Sequence, residues 1–462
     1  MISRRSFLRA GAAGLALGSG FVTTRARASA AAIHLEAGQG EVSFMPGQAS
    51  PTRVMFYNQS IPGPLLRIAQ GREATIHFRN RLDDPTTVHW HGLRIDNAMD
   101  GVPGVTQASV QPGDGFEYRF TPPDAGTYWY HSHHRAWEQR ALGLAGVLIV
   151  DERDPPRVDQ DLVFAIDDWR LDDDMQVDYR SFKSMHDWSH AGRLGRFITV
   201  NGASEMRYPV RRGERVRLRL VNIANSRIMD LLIGEPCATV IAIDGQPVDP
   251  FRLNDGRVVL APGQRVDLVI DLMSEPGSRV PLEVVIGEYA YEVAGFDYAD
   301  TALRDQPLDT PIRLAPNPLQ HQRLPAEFLH VPLRMEGGAM GRMRSAVLHG
   351  QEMDIRELVR NEKVWAINGI AGMPEEPLFR VERGTAVSLD VDNDNRWPHA
   401  MHLHGHHFVD PARPGVWRDT ALFDRGEQGA MQFIADNPGK WLLHCHMVEH
   451  MSGGMMTWFE VT

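Results

Sequence analysis

Short runs of β-branched and other apolar residues recur along the chain, several of them alternating with polar residues, and Gly, Pro, Asn and Asp separate them. This pattern predicts β-strands joined by turns. Few long segments with the 3.6-residue period of a helix compete with it. We therefore predict an all-β chain built of sandwiches. Clear examples of predicted strands are residues 75–78, 215–221, 266–270 and 386–391.

One unit of this pattern occurs three times, which indicates an internal repeat. In each copy a segment that closes with glycine leads into a predicted strand, and that strand ends at an asparagine. The segments are residues 66–71, 208–213 and 379–384, and the asparagines are Asn80, Asn222 and Asn393.

The first and third copies share a further feature. Residues 124–133 parallel residues 437–446, and both segments end in His-x-His, with Ser132 in the middle of one and Cys445 in the middle of the other. The middle copy has no such motif. Duplication of a strand that carries His-x-His predicts a pseudo-symmetric histidine cluster between the domains that contain the first and third copies, domains 1 and 3.

The length of 462 residues fits three domains of about 150 residues each. A hydrophobic fraction of 43% is ample for three cores. Residues 151–156 and a proline-rich run at 306–325 mark the domain edges, and domain 2 is interpreted as a spacer. The predicted limits are 31–152 for domain 1, 157–300 for domain 2, 301–330 for a linker and 331–462 for domain 3.

The formal net charge of −11 argues against general binding of nucleic acid, which requires a basic surface. Paired arginines, Arg4 and Arg5, precede an apolar run at 10–22, and Ala26-Arg27-Ala28 is a candidate cleavage site. This looks like a bacterial twin-arginine export signal over residues 1–30. The apolar run falls short of the ~20 residues of a membrane span. We expect export by the twin-arginine machinery, a periplasmic location, no membrane span and a monomer.

The stretch from His444 to Met455 contains the densest group of candidate metal ligands in the chain. It combines thiolate, imidazole and thioether donors, and copper prefers such soft ligands mixed with histidine. Cys445, His450 and Met455 could supply the cysteine, one histidine and the weak axial methionine of a His₂Cys site, which still needs a second histidine from elsewhere in the chain. In an extended strand the two histidines that flank Cys445 face the opposite side, toward a second metal site.

Three further histidine clusters lie upstream, at residues 89–91, 131–133 and 399–406. Together with the last stretch they resemble the multicopper oxidases, the family of laccases, ferroxidases and cuprous oxidases, over the chain from about residue 33 to its end. The resemblance implies cupredoxin-like Greek-key β-barrel domains and four coppers per chain. It assigns His399, Cys445, His450 and Met455 to a type 1 copper, His89 and His402 to a type 2 copper, and His91, His131, His133, His404, His444 and His446 to a type 3 pair.

Three histidines inside the clusters match no ligand position and are interpreted as neighbouring or surface residues, namely His134, His406 and His407. Met456 is the alternative to Met455 as the axial ligand. The other cysteine, Cys237, has no partner if Cys445 binds copper, and we expect it to be a small buried hydrophobic residue.

The resemblance also implies the reaction. A reductant gives single electrons to the type 1 copper, and O₂ is reduced to water at the trinuclear cluster. Cys445 is covalently continuous with His444 and His446, so the electron path is short. Asp100 matches the proton-relay acid of the family by position. The alternative is a turn aspartate before Gly101.

Three hypotheses on function remain open. The first is laccase-like oxidation of phenols or aromatic amines. The second is a cuprous oxidase in copper tolerance, because methionine thioethers bind Cu(I) and four methionines cluster in a glycine-containing stretch, although methionine also fills ordinary cores. Against it, the cuprous oxidases have Asp and Met where this chain has Asn395 and Trp397. The third is a structural cell-division protein of the same fold, which would lack the ligands found here. The four methionines are Met335, Met340, Met343 and Met353.

Overall fold

The computed structural model describes residues 32–235, 238–310 and 312–462. The predicted export signal and Cys237 lie outside these described residues. Short strands dominate, and no helix within the described residues is long and apolar enough to cross a bilayer. The all-β prediction is confirmed, and the strands predicted at 75–78, 215–221, 266–270 and 386–391 all form.

The first unit is a sandwich of two four-stranded sheets, ordered β2-β1-β4-β6 and β3-β8-β7-β5. A short helix α1 (Ala136–Gln139) and a 3₁₀ turn (Asn97–Met99) lie in its connections. Its strands are β1 (Ile33–Val42), β2 (Thr52–Tyr57), β3 (Gly63–Ala69), β4 (Ala74–Asn80), β5 (His89–His91), β6 (Gly115–Phe120), β7 (Gly126–His131) and β8 (Ala145–Asp151).

The second unit pairs a six-stranded sheet, β10-β9-β12-β17-β14-β15, with a five-stranded sheet, β11-β19-β18-β13-β16. A 3₁₀ turn (Tyr179–Ser181) and helix α2 (Met185–Ser189) connect β9 to β10. Its strands are β9 (Gln160–Trp169), β10 (Phe197–Val200), β11 (Met206–Val210), β12 (Arg215–Asn222), β13 (Met229–Ile233), β14 (Ala238–Ile243), β15 (Gln246–Arg252), β16 (Arg257–Leu260), β17 (Arg265–Asp271), β18 (Arg279–Ile286) and β19 (Tyr289–Tyr298).

The third unit follows a 3₁₀ turn (Pro318–His321) and pairs the sheets β23-β20-β25-β30-β27-β28 and β24-β32-β31-β26-β29, with a hairpin β21-β22 and helices α3 (Ile355–Arg360) and α4 (Val448–Ser452). Its strands are β20 (Leu329–Gly337), β21 (Ser345–Leu348), β22 (Gln351–Asp354), β23 (Trp365–Ile367), β24 (Arg380–Val381), β25 (Thr385–Asn393), β26 (His399–Leu403), β27 (Phe408–Val409), β28 (Trp417–Arg418), β29 (Thr420–Phe423), β30 (Gln428–Ala435), β31 (Gly439–Cys445) and β32 (Met456–Val461).

The internal repeat corresponds to one strand pairing that recurs in all three units. In each unit the repeat strand, β4, β12 or β25, pairs parallel to the first strand of its unit. Each of these strands ends at the predicted asparagine. Each unit also packs around a separate core of buried apolar side chains. The exact domain limits given above stay a prediction.

Candidate metal centre

The end of domain 3 brings one cysteine and two histidines together. His399 begins β26, Cys445 ends β31 and His450 lies in α4. All three are fully buried. Cys445 Sγ lies 3.5 Å from His399 Nδ1 and 3.7 Å from His450 Nδ1, and the two Nδ1 atoms are 3.0 Å apart. This is the His₂Cys arrangement that the sequence predicts.

Hydrogen bonds on the far side of each ring fix which nitrogen faces Cys445. His399 Nε2 donates to Asn395 Oδ1 at 3.1 Å, and His450 Nε2 donates to the carbonyl oxygen of His190 at 2.7 Å. Since both acceptors lack a proton, each ring carries its hydrogen on Nε2, and the Nδ1 lone pairs are free to bind a metal. Burial lowers the pKa of His450 to about 4, so its ring is neutral.

The two candidate axial methionines, Met455 and Met456, have different surroundings. Met455 is fully buried in the same apolar cluster as Cys445, and its carbonyl oxygen accepts the Cys445 N–H at 3.0 Å. Met456 packs beside Ala136 and Val448 instead. Burial raises the pKa of the Cys445 thiol to about 12, so metal binding would release its proton.

Eight histidines converge on the opposite side of β31. In domain 1, His89 on β5 stands opposite His131 on β7. In domain 3, His402 on β26 stands opposite His444 on β31. The two pairs meet across the domain boundary. Within this cluster the ligand atoms of three trios lie within 4.8 Å of one another: His89, His91 and His402; His91, His131 and His446; His133, His404 and His444.

The unpaired ring nitrogens fit a metal cluster. Buried nitrogens without a hydrogen-bond partner among the described residues are costly unless an ion occupies the space between them. His404 Nε2 and His444 Nε2 face each other at 3.1 Å. The unpaired nitrogens are His89 Nε2, His91 Nδ1, His131 Nε2, His133 Nε2, His402 Nε2 and both nitrogens of His446.

Burial also keeps seven rings of the cluster neutral, as metal ligation requires. Loss of hydration is the largest cause that lowers the pKa below the ordinary histidine value in each case. The rings concerned are His91, His131, His133, His402, His404, His444 and His446.

Asp100 is a turn residue that also contacts the cluster. It is buried, and its Oδ2 accepts from His404 Nδ1 at 2.9 Å while its backbone carbonyl accepts from His89 Nδ1 at 2.7 Å. Gly101 has φ +82°, and a Cβ there would overlap the carbonyl oxygen of Val88. Glycine at this position therefore allows the turn to pack against the strand that carries His89.

The remaining clustered histidines lie outside the trios. His134 contacts Ser109 Oγ at 3.0 Å, and His406 contacts the carbonyl oxygen of His404 at 3.2 Å. His407 Nε2 lies 3.2 Å from Asp419 Oδ2. Sequence reasoning missed Asp419, because a single aspartate between Arg418 and Thr420 carries no ligand spacing.

The four methionines from Met335 to Met353 do not form one group. Met335 is fully buried in the domain 3 core, and Met343 and Met353 pack against a smaller apolar cluster. Met340 is 72% exposed, while Met343 and Met353 are partly exposed.

A cysteine with two imidazoles on one side of a strand, and eight imidazoles on the other, is the donor set of a copper protein that couples a mononuclear centre to a cluster. Comparison with known families agrees. Multicopper oxidase family models match residues 39–155, 160–278 and 349–462. The chain belongs to the multicopper oxidase family, and it is an oxidoreductase whose cofactor is copper.

Individual relatives extend over nearly the whole chain. The crystal structure of Lac15 from a marine microbial metagenome is 36% identical, with a TM-score of 0.74, and the match covers 93% of this chain and 100% of that one. A multi-copper oxidase from Pseudomonas thermotolerans is 29% identical, with a TM-score of 0.80 and coverage of 94% and 99%. Multicopper oxidase MmcO of Mycobacterium tuberculosis is 28% identical over 87% of this chain and 82% of that protein.

Proposed function

We propose that the chain oxidises phenols or aromatic amines by one electron at a time and reduces O₂ to water. The observation that carries this proposal is the position of Cys445. Its side chain belongs to the His399–Cys445–His450 group, while its two sequence neighbours, His444 and His446, belong to separate trios of the histidine cluster. Four single-electron oxidations balance the four electrons and four protons that convert O₂ to two waters.

The proposed ligands are those of the sequence analysis. The type 1 site would use His399, Cys445, His450 and Met455, the type 2 site His89 and His402, and the type 3 pair His91, His131, His133, His404, His444 and His446. Bound copper supplies reversible one-electron chemistry at these positions.

The protein residues contribute a path for electrons and an environment from which water is excluded. The path from Cys445 to each neighbouring histidine is covalent, and a hydrogen bond of 2.9 Å from His444 Nδ1 to the Cys445 carbonyl oxygen adds a second connection. Both sites are buried, which excludes water. Asp100, in contact with His404, is the proposed proton donor to the cluster.

Phenols or aromatic amines are favoured over Cu(I) as the reductant. A Cu(I) site built from thioethers needs several of them together at the surface. Met335 is buried in the domain 3 core, Met343 and Met353 are partly buried against a smaller apolar cluster, and Met340 alone among the four is largely exposed. Asn395, which replaces the aspartate of the cuprous oxidases, accepts the hydrogen bond from His399. The complete donor set also favours an enzyme over a structural cell-division protein.

Export through the twin-arginine pathway to the periplasm, and function as a monomer, also belong to the proposal. The support for export is the Arg4-Arg5 pair and the following apolar run. Fractionation of cells that express the full chain would contradict it if the protein stayed in the cytoplasm.

The first experiment compares Cys445→Ser with Cys237→Ser. Loss of the thiolate should abolish the intense blue absorption and reduce O₂ consumption with a phenol to background, while part of the cluster copper and the fold remain. The matched control, Cys237→Ser, should keep both signals. Copper content, visible absorption and O₂ uptake are measured on the copper-loaded proteins, and a blue, active Cys445→Ser variant would refute the assignment.

The same wild-type preparation distinguishes the reductants. O₂ uptake faster with a phenol than with Cu(I) supports the laccase-like proposal. A preference for Cu(I) would reassign the enzyme to copper detoxification.

A further inference from the structure

Domain 2 reaches the histidine cluster through a fully buried group of charges. Arg265, the first residue of β17, binds Asp419 of domain 3 with both arms of its guanidinium, Nη1 to Oδ1 at 2.8 Å and Nη2 to Oδ2 at 2.7 Å. Arg265 Nε donates to the carbonyl oxygen of Thr127 in domain 1 at 3.1 Å. Asp244 of domain 2 lies 3.5 Å from Arg265 Nη1. One guanidinium therefore connects all three domains.

Asp419 transmits this contact to two histidines of the cluster. Its Oδ1 accepts from His91 Nε2 at 3.0 Å, and its backbone carbonyl accepts from His402 Nδ1 at 3.0 Å. The opposite nitrogens, His91 Nδ1 and His402 Nε2, have no partner among the described residues and face the cluster. Asp419 thus determines which nitrogen of each ring is free to bind a metal.

The chain leaves space for this arrangement beside the first histidine motif. Gly92 follows His91 directly and has φ +84°. A Cβ at this position would overlap Asp419 Oδ2 and Arg265 Nη2. Glycine here lets the ion pair approach the end of the strand that carries His91.

The ion pair needs both members. Asp419 and Arg265 are each fully buried, and a buried charge without its partner is strongly destabilising. A bidentate guanidinium also fixes the plane of the carboxylate, which a lysine at the same position would not do.

We propose that Arg265 is a positioning residue for copper binding, which holds Asp419 so that His91 and His402 present their free nitrogens to the trinuclear cluster. Domain 2 then helps to position the metal ligands in addition to serving as a spacer. This inference rests on the proposed function, because it takes His91 and His402 as copper ligands.

The test uses the full-length, copper-loaded protein and the variant Arg265→Lys. We expect the cluster coppers to be lost to a chelator about 10–100-fold more readily, as is typical when a residue that supports a ligand is changed. The type 2 EPR signal should change, while the blue band of the Cys445 site stays as in the wild type, because Asp419 contacts none of its ligands.

Arg219→Lys is the matched control. Arg219 is an equally buried arginine of domain 2 that binds Asp161 and Asp267 and also donates to Thr127 Oγ1. It touches no histidine of the cluster. This variant should retain copper as the wild type does, although thermal unfolding of the copper-free proteins should show a comparable loss of stability in both.

Unchanged copper retention and EPR in Arg265→Lys would overturn the inference, as would an equal loss of copper from Arg219→Lys. If Arg265→Lys does not fold, the isosteric Asp419→Asn replaces it. Its amide NH₂ would face one of the two guanidinium nitrogens that Asp419 binds, donor against donor, so the bidentate contact is lost and copper retention should weaken in the same way. Wild-type retention there would also overturn the inference. A wild-type protein without blue absorption would instead refute the proposed function itself.

Discussion

At the scale of single residues, the hydrogen bond that one ring nitrogen of a histidine donates determines which nitrogen is left free to bind a metal. His404 donates Nδ1–H to Asp100, and His399 donates Nε2–H to Asn395. The two rings therefore use different nitrogens toward the metal sites, although they lie in one histidine-rich segment. Asp100 and Asn395 thus determine which nitrogen of each ring is left free.

Asp100→Asn separates orientation from proton transfer. The amide oxygen can still accept from His404 Nδ1, so copper content should be unchanged, but the amide cannot carry a proton. Turnover with O₂ should fall by about 10²-fold, the usual contribution of general acid catalysis. Steady-state O₂ uptake and copper content are the measurements.

The control for this variant is Asp96→Asn, an exposed neighbour whose carboxylate accepts from the Ala98 N–H. It should behave as the wild type. Wild-type turnover in Asp100→Asn would leave Asp100 as an orienting turn residue only.

At the scale of elements, the three repeated asparagines perform the same task. Each is fully buried at the end of its strand and donates Nδ2–H to one carbonyl oxygen of the following loop and to at least one other carbonyl oxygen further along the chain. For Asn222 the acceptors are Arg227 and Leu260, both at 2.8 Å. A buried amide that joins loop and strand fixes the strand end. All three copies of the repeat have this asparagine, although only the first and third have the His-x-His motif.

Asn222→Ala should lower the free energy of unfolding by about 1–3 kcal/mol, because two buried carbonyls lose their donor. Urea unfolding followed by tryptophan fluorescence measures the change. Asn254→Ala, at an exposed position of the same domain, should stay within about 0.5 kcal/mol of the wild type. Equal stabilities of the two variants would contradict the structural role of Asn222.

At the scale of the whole molecule, the metal centre is also an interface. The histidine trios combine residues of domains 1 and 3, and direct hydrogen bonds join the same domains, such as Asn97 Nδ2 to the Lys440 carbonyl at 2.6 Å. Domain 2 closes the third side through the contact of Arg265 with Asp419. Ligand binding and domain docking are therefore coupled.

Removal of copper should lower the thermal stability of the assembled chain. Copper at 100 times its dissociation constant contributes about 2.7 kcal/mol per site to the folded state. Calorimetry with and without a Cu(I) and Cu(II) chelator should show a lower unfolding temperature for the copper-free protein. An unfolding temperature independent of copper would show that the cluster does not hold domains 1 and 3 together.

The sequence by itself determined the all-β class, the three-fold repeat and the histidine motifs. These depend on local patterns: side chains alternate along a strand, so His444 and His446 oppose Cys445 whatever the rest of the chain does. It also identified Met455 and Asp100 as candidates, with Met456 and a turn role as the alternatives.

Only the tertiary structure determined which residues that are distant in the chain contact each other. Asp100 and His404 are 304 residues apart, His91 and Asp419 are 328 apart, and Arg265 and Asp419 are 154 apart. No periodicity or spacing connects such residues, because their contact depends on how three domains dock. For the same reason, the sequence could interpret domain 2 only as a spacer and could not tell which methionines are buried.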